Sequence, residues 1–331
     1  WTLNGEAFIG DDIVSFVDNG TNPLTGVIQN NAVVANKYYK VSFDISRYVL
    51  GAVQIIVGSA NALADNLSQG VGTYTFYIES GSGSNLEIKR FGTVPNFDFD
   101  ITNITVEEVA QNWTLTDGVS MTAQGLRVVS NGEAQSFYQL GVFVIGNAYE
   151  IEYEITEYVS GTLQGTSNLS NTQLETTVGV HKLYAVAQNS TSLQIIRSGA
   201  CDITIDNIKV KEVGQEWVFN GAVSVTAQGA KITSDGTYSD LTQNNALVVG
   251  DTYEMEYEIT ESVIGGLTVT GSFGSGLALK RTVGVHKFYA VATNTPIQIK
   301  RSGVTDITID NIKVKRLNGD DTPRIDYTDG G

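Results

Sequence analysis

The sequence predicts an all-β chain folded as three tandem two-sheet β-sandwiches, and three observations predict it. First, the stretch D-I-T-I-D-N-I-K-V-K at residues 202–211 returns at 306–315 and, more loosely, at 100–108. Second, a tryptophan opens each interval, at Trp1, Trp113 and Trp217. Third, between these marks apolar and polar residues alternate in short runs, in a chain with 35 Gly, only 4 Pro and abundant Thr, Val, Ile and Tyr, the composition of strands joined by tight turns.

The recurring stretch reads as a bent closing strand. Its apolar residues keep one parity at Ile203 and Ile205 and the other at Ile208 and Val210, so one extra residue sits at Asp206-Asn207. That is the pattern of a β-bulge. Ile307, Ile309, Ile312 and Val314 repeat the switch, as do Phe99, Ile101, Ile104 and Val106. The tryptophans lie 112 and then 104 residues apart, whereas Asn103, Asn207 and Asn311 are 104 apart both times. The first repeat therefore carries about eight extra residues, placed at the loop around 20–25. A period this long suits whole domains in a string, not a solenoid. The predicted divisions are 1–111, 112–215 and 216–316, with 317–331 as a tail.

The elements follow in order. Residues 119–130 and 223–234 read as strand, turn, strand about Ala-Gln-Gly. Next come the strands at 27–33, 137–143 and 241–247, in which Gln29, Gln139 and Gln243 share the parity of the core residues and are expected as buried hydrogen-bonding amides. The clearest strand sets Tyr149, Ile151, Tyr153 and Ile155 against Glu150, Glu152 and Glu154, repeated by Tyr253, Met255, Tyr257 and Ile259 against Glu254, Glu256 and Glu258. Such a carboxylate row resembles a metal or catalytic cluster, but strand spacing holds its members about 7 Å apart, and an outer face explains it. The first repeat supports that reading, with Lys40, Ser42 and Asp44 in place of the glutamates. Its closing strand changes in step, carrying Thr105 and Glu107 where the others carry Lys209 with Lys211 and Lys313 with Lys315. Charges that swap together place these two strands side by side.

The strands at 72–78, 179–186 and 284–291 then hold the only histidines, His181 and His286, with Thr73 at that position in the first repeat. No partner in ligand spacing accompanies them, which argues against zinc or a triad. Arg90, Arg197 and Arg301 end the next strands and either anchor the closing-strand acids or cap the sheet.

The net charge of −16 repels phosphate backbones and anionic lipid, so nucleic acid and membrane surfaces are poor partners. Counted over residues 1–112, 113–216 and 217–316 the charges are −7, −6 and 0, and the tail carries −3, so the third repeat accepts an acidic neighbour most easily. Cys201 is the single cysteine and no intrachain disulfide exists. No apolar run approaches the roughly 20 residues of a membrane helix. The chain starts at Trp1 and is expected to be a fragment or processed product of something longer.

With its W-T-L-N-G opening and its I-D-N-I endings at 205–208 and 309–312, the pattern resembles the jelly-roll carbohydrate-binding modules of the galactose-binding-like type. That resemblance implies a structural calcium near the closing-strand acid, at Asp206 and Asp310; the first repeat has Thr102 there. From the residues alone, either aspartate binds calcium or hydrogen-bonds the opening segment of its own repeat. The tail T-P-R-I-D-Y-T at 322–328 looks like the P-R-I-D-Y-T-G-G-G segment of bacteriophage tail-fibre and other virion proteins, where it follows domains ending in D-N-I-K-V-K-E-V; here Asp329 replaces the first glycine.

These readings set the functional expectation. The chain is a non-catalytic virion appendage protein, a spacer with weak, multivalent contacts to a bacterial surface glycan. The alternative is a purely structural decoration or filament whose partners are other virion proteins or copies of itself. No cofactor is required beyond the calcium just described. Sugar recognition needs exposed aromatics beside planar polar groups, and Tyr48, Tyr158, Tyr138 and Tyr238 are the candidates. No nucleophile, histidine and acid recur together, so no enzyme is expected.

Overall fold

A computed structural model describes residues 1–18, 25–62, 70–90, 97–166, 169, 172–187 and 189–317. Most of the loop at 20–25 and nearly all of the tail, including the phage-like segment at 322–328, lie outside the described residues. Among those described there are 27 strands and no α-helix, arranged in antiparallel sheets. The chain divides into two compact units, 1–127 and 128–331.

Unit 1 holds two five-stranded sheets. One has the order β1 (Thr2–Asn4), β4 (Gly26–Gln29), β9 (Leu86–Arg90), β6 (Val53–Val57), β7 (Ala60–Ala62). The other runs β2 (Ala7–Gly10), β3 (Ile13–Asp18), β10 (Phe97–Val109), β5 (Tyr38–Leu50), β8 (Gly72–Glu79). Alternate residues of both enter one core, Val27, Ile55 and Ile88 from the first sheet against Phe16, Phe43 and Phe99 from the second. Phe16 and Phe99 stack at 4.8 Å between ring centroids. The short strands β11 (Thr114–Leu115) and β12 (Val119–Thr122) follow, and β13 (Gly125–Ser130) spans the point of division.

In unit 2, β14 (Ser136–Gln139), β18 (Leu193–Arg197) and β16 (Leu163–Gly165) lie side by side, and β13 is followed across its sheet by β19 (Cys201–Val213), β15 (Ala148–Ser160) and β17 (Gly179–Val186). The remaining strands form one eight-stranded sheet. Its main path is β20 (Trp217–Asn220), β23 (Asp240–Gln243), β27 (Ile297–Arg316), β22 (Gly229–Ser234), β21 (Val223–Thr226), while β24 (Thr252–Gly271) pairs β25 (Gly274–Ala278), β26 (Gly284–Val291) and β27. Here the structure differs from the expected pair of sheets. β24 and β27 run 20 residues each, because their pairing continues round the corner from Ile264↔Asp306 to Gly266↔Ser302 and on to Val269↔Ile299. The equivalent strands of the second repeat break at Gly161.

The closing bulge is present three times. Opposite the single residue Tyr153 stand two, Asn207 and Ile208; opposite Tyr257 stand Asn311 and Ile312; opposite Phe43 stand Asn103 and Ile104. The extra residue is the asparagine, at φ 53°, 51° and 50° in chain order, a left-handed conformation that asparagine tolerates and most side chains do not. Each asparagine Nδ2 donates to the last acid of the neighbouring row, Asp44, Glu154 or Glu258, at 2.7 Å in all three cases. Asn207→Ala and Asn311→Ala are each expected to cost about 1 to 2 kcal/mol, the left-handed strain plus one hydrogen bond, measured by urea unfolding.

A second contact recurs with it. The buried Tyr39, Tyr149 and Tyr253 each accept, at the hydroxyl, the backbone N–H five residues earlier, from Val34, Val144 and Val248 at 2.7, 2.7 and 2.8 Å. Each pins the loop entering the longest strand. Gly51, Gly161 and Gly265 mark a third recurrence, the corner where that strand leaves one layer for the other, with φ of 113°, 81° and 83°.

The carboxylate row faces the closing-strand lysines, as the charge swap predicts. Lys209 Nζ lies 2.9 Å from Glu152 and Lys313 Nζ 2.9 Å from Glu256. The strand on the other side adds Lys182 and Tyr184, both 2.7 Å from Glu150, and Lys287 and Tyr289, at 3.1 and 2.7 Å from Glu254. In the first repeat Thr73 and Asn103 donate instead to Asp44. Lys209 holds the Glu152 carboxyl below its ordinary range, Lys287 and Lys313 do so for Glu256, and Asn103 with Thr73 does so for Asp44. A carboxyl lowered on folding contributes stability above its unfolded pKa, and that contribution is lost as pH falls through the folded value. The melting temperature is therefore expected to hold down to about pH 5 and to fall below about pH 4, with charge-neutral Glu152→Gln and Glu256→Gln variants flattening the fall. Each pair is exposed and screened by solvent, so the effect is a sum of small ones.

The glutamine expectation does not hold. Gln29 is exposed and Gln139 and Gln243 are half-buried. Gln243 sits at a strand end opposite Trp217 and donates to Glu216 at 2.9 Å, so the end of the sheet exposes what its parity turns inward.

Candidate functional site

The sheet face that points away from the core on β14, β16 and β18, and its equivalent on β23, β24 and β27, gathers polar side chains with no structural ladder to account for them. In the third repeat Leu241, Ile297, Ile299 and Val269 turn into the core, which puts Asp240, Thr242, Gln298, Lys300 and Thr270 on the other side. Asp240 is nonetheless only 1% exposed. Its Oδ1 accepts from Asn220 Nδ2 at 2.8 Å, and its Oδ2 accepts from Tyr238 Oη at 2.9 Å, Thr242 Oγ1 at 3.0 Å and Gln298 Nε2. Gln298 also donates to Tyr238 Oη at 2.7 Å and accepts from Thr270 Oγ1 at 3.0 Å, which fixes its amide. Burial, with the Asp240 carboxylate beside it, pushes the Tyr238 hydroxyl up from its ordinary pKa. The carboxylate is thus fully used by its own repeat.

In the second repeat Ser136 stands where Asp240 would, and the face opens into a groove of about 390 Å³ lined by Gln135, Ser136, Gln164, Gln194 and Arg197 among others. Thr166 Oγ1 donates to Gln194 Oε1 at 2.9 Å, the counterpart of the Thr270–Gln298 bond. Tyr138 pairs across from Gln194 while its neighbour Phe137 is buried, so the tyrosine lies on the same sheet face as Gln194 without lining the groove itself. Arg197 is held at the edge by donating from Nε to Glu133 O at 2.6 Å, and Arg301 makes the same bond to Thr237 O. These arginines cap turns. In the first repeat the same face carries the Glu87–Lys89 pair at 3.6 Å. Planar amides on a face that also carries an aromatic ring suit the hydroxyl groups of a neutral sugar.

Of the four tyrosines read from the sequence, Tyr48 belongs to unit 1 and the other three to unit 2. Tyr48 packs against the first core with its hydroxyl on Gly51 O at 3.0 Å, held beside Arg47, whose guanidinium grips Asp100 at 2.6 and 3.0 Å. Tyr158 is exposed near the end of β15. Tyr138 and Tyr238 are on equivalent faces of successive repeats, and Tyr238 is exposed apart from its bonded hydroxyl. Sequence reasoning missed Gln135, Gln164, Gln194 and Asp240. The available signal was the Ser136-to-Asp240 exchange, one added charge on an otherwise neutral row.

Asp206 is exposed opposite Glu154, and Asp310 is half-buried opposite Glu258 on the wall of a cleft that also holds Trp217 and Phe219. Each bulge offers two carboxylates, one already bonded to asparagine, and among the described residues no group of three or more His, Cys, Asp or Glu side chains converges. That set does not fit calcium, which takes six to eight oxygens. Among the described residues neither aspartate bonds its opening segment; the asparagine next to it makes the bulge contact. Chelation is expected to leave the melting temperature unchanged, and a fall of several degrees in a calorimetric scan would restore the metal. His181 and His286 donate from Nε2 to Thr177 O and Thr282 O at 2.6 Å, and Cys201 is buried. Among the described residues no helix is long and apolar enough to cross a membrane.

No family model matches the chain, and no curated protein matches it. Among solved structures, the N-terminal CBM22 tandem domain of Paenibacillus barcinonensis Xyn10C is similar at 12% identity and a TM-score of 0.26, covering 63% of this chain and 94% of that one. A Paenibacillus xanthan lyase matches at 13% identity and a TM-score of 0.26 over 94% of this chain, which spans 36% of the lyase. An archaeal virus protein described by a triple jelly roll fold and turret assembly matches at 9% identity and a TM-score of 0.22, covering 94% of this chain and 89% of that one. Scores this low do not establish a shared fold with any of the three.

Proposed function

We propose that the chain is a non-catalytic segment of a virion appendage, in which three tandem jelly-roll sandwiches at 1–111, 112–215 and 216–316 act as spacers and make weak glycan contacts. The observation that carries the spacer reading is the thrice-repeated set of holding contacts, the bulge asparagine on its acid, the tyrosine on its loop and the corner glycine. The two glutamate rows are likewise taken up by lysine, tyrosine and asparagine of the neighbouring strands. The resemblance of residues 322–328 to phage tail-fibre sequences supplies the setting, and no cofactor is required.

The glycan reading rests on the groove lined by Gln135, Gln164 and Gln194, with Tyr138 on the same sheet face. Single weak sites gain strength from copy number, roughly 10² to 10⁴ when geometry allows simultaneous contact. A glycan array probed with the chain in monomeric and multivalent display tests this, with Tyr138→Ala and Gln194→Ala abolishing any signal while leaving stability nearly unchanged. Hydrolysis of a polysaccharide, or absence of the chain from purified particles, overturns the proposal. The second reading, a purely structural decoration, is favoured by the changing chemistry of that face, an ion pair in one repeat, a groove in the next and a closed carboxylate in the third. Binding in neither format selects it.

A further inference from the structure

A cleft of about 430 Å³ lies inside unit 2, where β21 packs on β17, the edge strand of the preceding repeat. The tight turn leading into β20 sets it up, with Gly214 and Glu216 at φ 61° and 69° and Trp217 N donating to Gly214 O at 3.0 Å. Trp217 and Phe219, two apart on β20, share one face of the strand; both pack in part on the third core and both line the cleft. Tyr184 of β17 lines it from the second repeat, and all three rings are half-buried.

Most polar side chains of the lining are already engaged. Glu150 accepts from Lys182 and from the Tyr184 hydroxyl, each at 2.7 Å. Thr226 Oγ1 donates to Gly229 O at 3.1 Å, and Asn311 Nδ2 donates to Glu258 at 2.7 Å. Asp310 is the exception. It is half-buried, and Gly229 runs so close that a Cβ there would stand 2.7 Å from the Cβ of Asp310. Among the described residues its carboxylate has no hydrogen-bond or ion-pair partner, and no lysine or arginine lines the cleft.

An unpaired charge held partly out of water is unfavourable, and a bound cation relieves it. Aromatic faces attract the same kind of ligand, tryptophan most strongly. A sugar takes several converging polar groups, most of which are engaged here, and an anion would meet no positive side chain. The net charge of −16 also draws cations toward the chain. We propose that this cleft binds an organic ammonium ion, its charged head on Asp310 and its methyl or methylene groups against Trp217, Phe219 and Tyr184. The site is separate from the groove on β14, β16 and β18 and goes beyond the spacer and glycan reading by adding a cationic ligand.

Titrating the full chain with choline while following tryptophan fluorescence tests it. The expected result is a saturable change. Binding is expected to weaken about tenfold or more for the uncharged isostere of choline, in which a tert-butyl group replaces the trimethylammonium, and for Asp310→Asn, which removes the charge from a side chain that makes no bond. Trp217→Phe is expected to remove most of the optical change, since neither Trp1 nor Trp113 lines the cleft, whereas Gln194→Ala leaves it intact. Ethanolamine in a parallel titration separates two sources of the same chemistry: tighter choline assigns a methylated ammonium group, and tighter ethanolamine a primary one hydrogen-bonded to Asp310. No saturable change with either amine, an isostere that binds as well as choline, or undiminished binding by Asp310→Asn overturns the proposal. The isostere comparison uses the unaltered chain, so the test stands even where a variant fails to fold. None of these outcomes bears on the glycan array or on the presence of the chain in particles, so the two readings fail separately.

Discussion

Gly265→Ala is expected to destabilise the third repeat by more than about 3 kcal/mol. Gly265 lies at φ 83°, where an alanine costs about 1 to 2 kcal/mol before any contact is counted. A Cβ there meets Val304 O at 2.0 Å and Thr305 Oγ1 at 2.7 Å. Those atoms belong to the strand that pairs with the corner, so relief requires pulling β24 from β27 where the two layers join. Gly271→Ala is the matched control, with φ 72° and nothing within 4 Å of the new Cβ, and should show the conformational cost alone. Calorimetry on the two variants decides it, because equal losses mean that the corner is not tight.

Asp240→Ala is expected to cost about 3 to 5 kcal/mol. Four donors converge on this carboxylate, from Asn220, Tyr238, Thr242 and Gln298, and removing it leaves them facing one another in a buried space. Leaving donors unpaired costs more than the net worth of the bonds, so a second substitution, Gln298→Leu, should recover part of the loss and make the pair less than additive. Urea unfolding of the single and double variants measures the coupling. Simple additivity, or a loss under about 1 kcal/mol for Asp240→Ala, would show that water replaces the carboxylate and that the face is open to a ligand in this repeat too.

Much of the architecture was readable from residues because it depends on local rules. The parity switch at Asp206-Asn207 located the bulge, since a strand with one face buried cannot slip by one residue without turning its core outward. The paired exchange of Lys40 with Glu107 and Glu150 with Lys211 placed two strands side by side, and they pair as Lys40↔Glu107 and Glu150↔Lys211. The site was less legible. Tyr138 was among the residues named, but the glutamines around it come from β16, β18 and the approach to β14, separate in sequence and ordinary in type. Asp240 was passed over because a single aspartate in a polar run looks solvated; its burial follows from Tyr238 and Gln298 folding over it.

By itself the sequence determined the all-strand character, the interval of the repeat, the bulge and the pairing of charged rows, because alternation and cross-strand charge are properties of neighbours along a strand and one strand away. Tertiary structure alone decided which member of Asp206-Asn207 does the work, since only the left-handed backbone aims the asparagine at Glu154. It also decided that β24 and β27 stay paired round the corner at Gly265, and which outer face is a groove, an ion pair or a sealed carboxylate. Those outcomes depend on side chains from three or more strands meeting at one point, and no period in the chain records that.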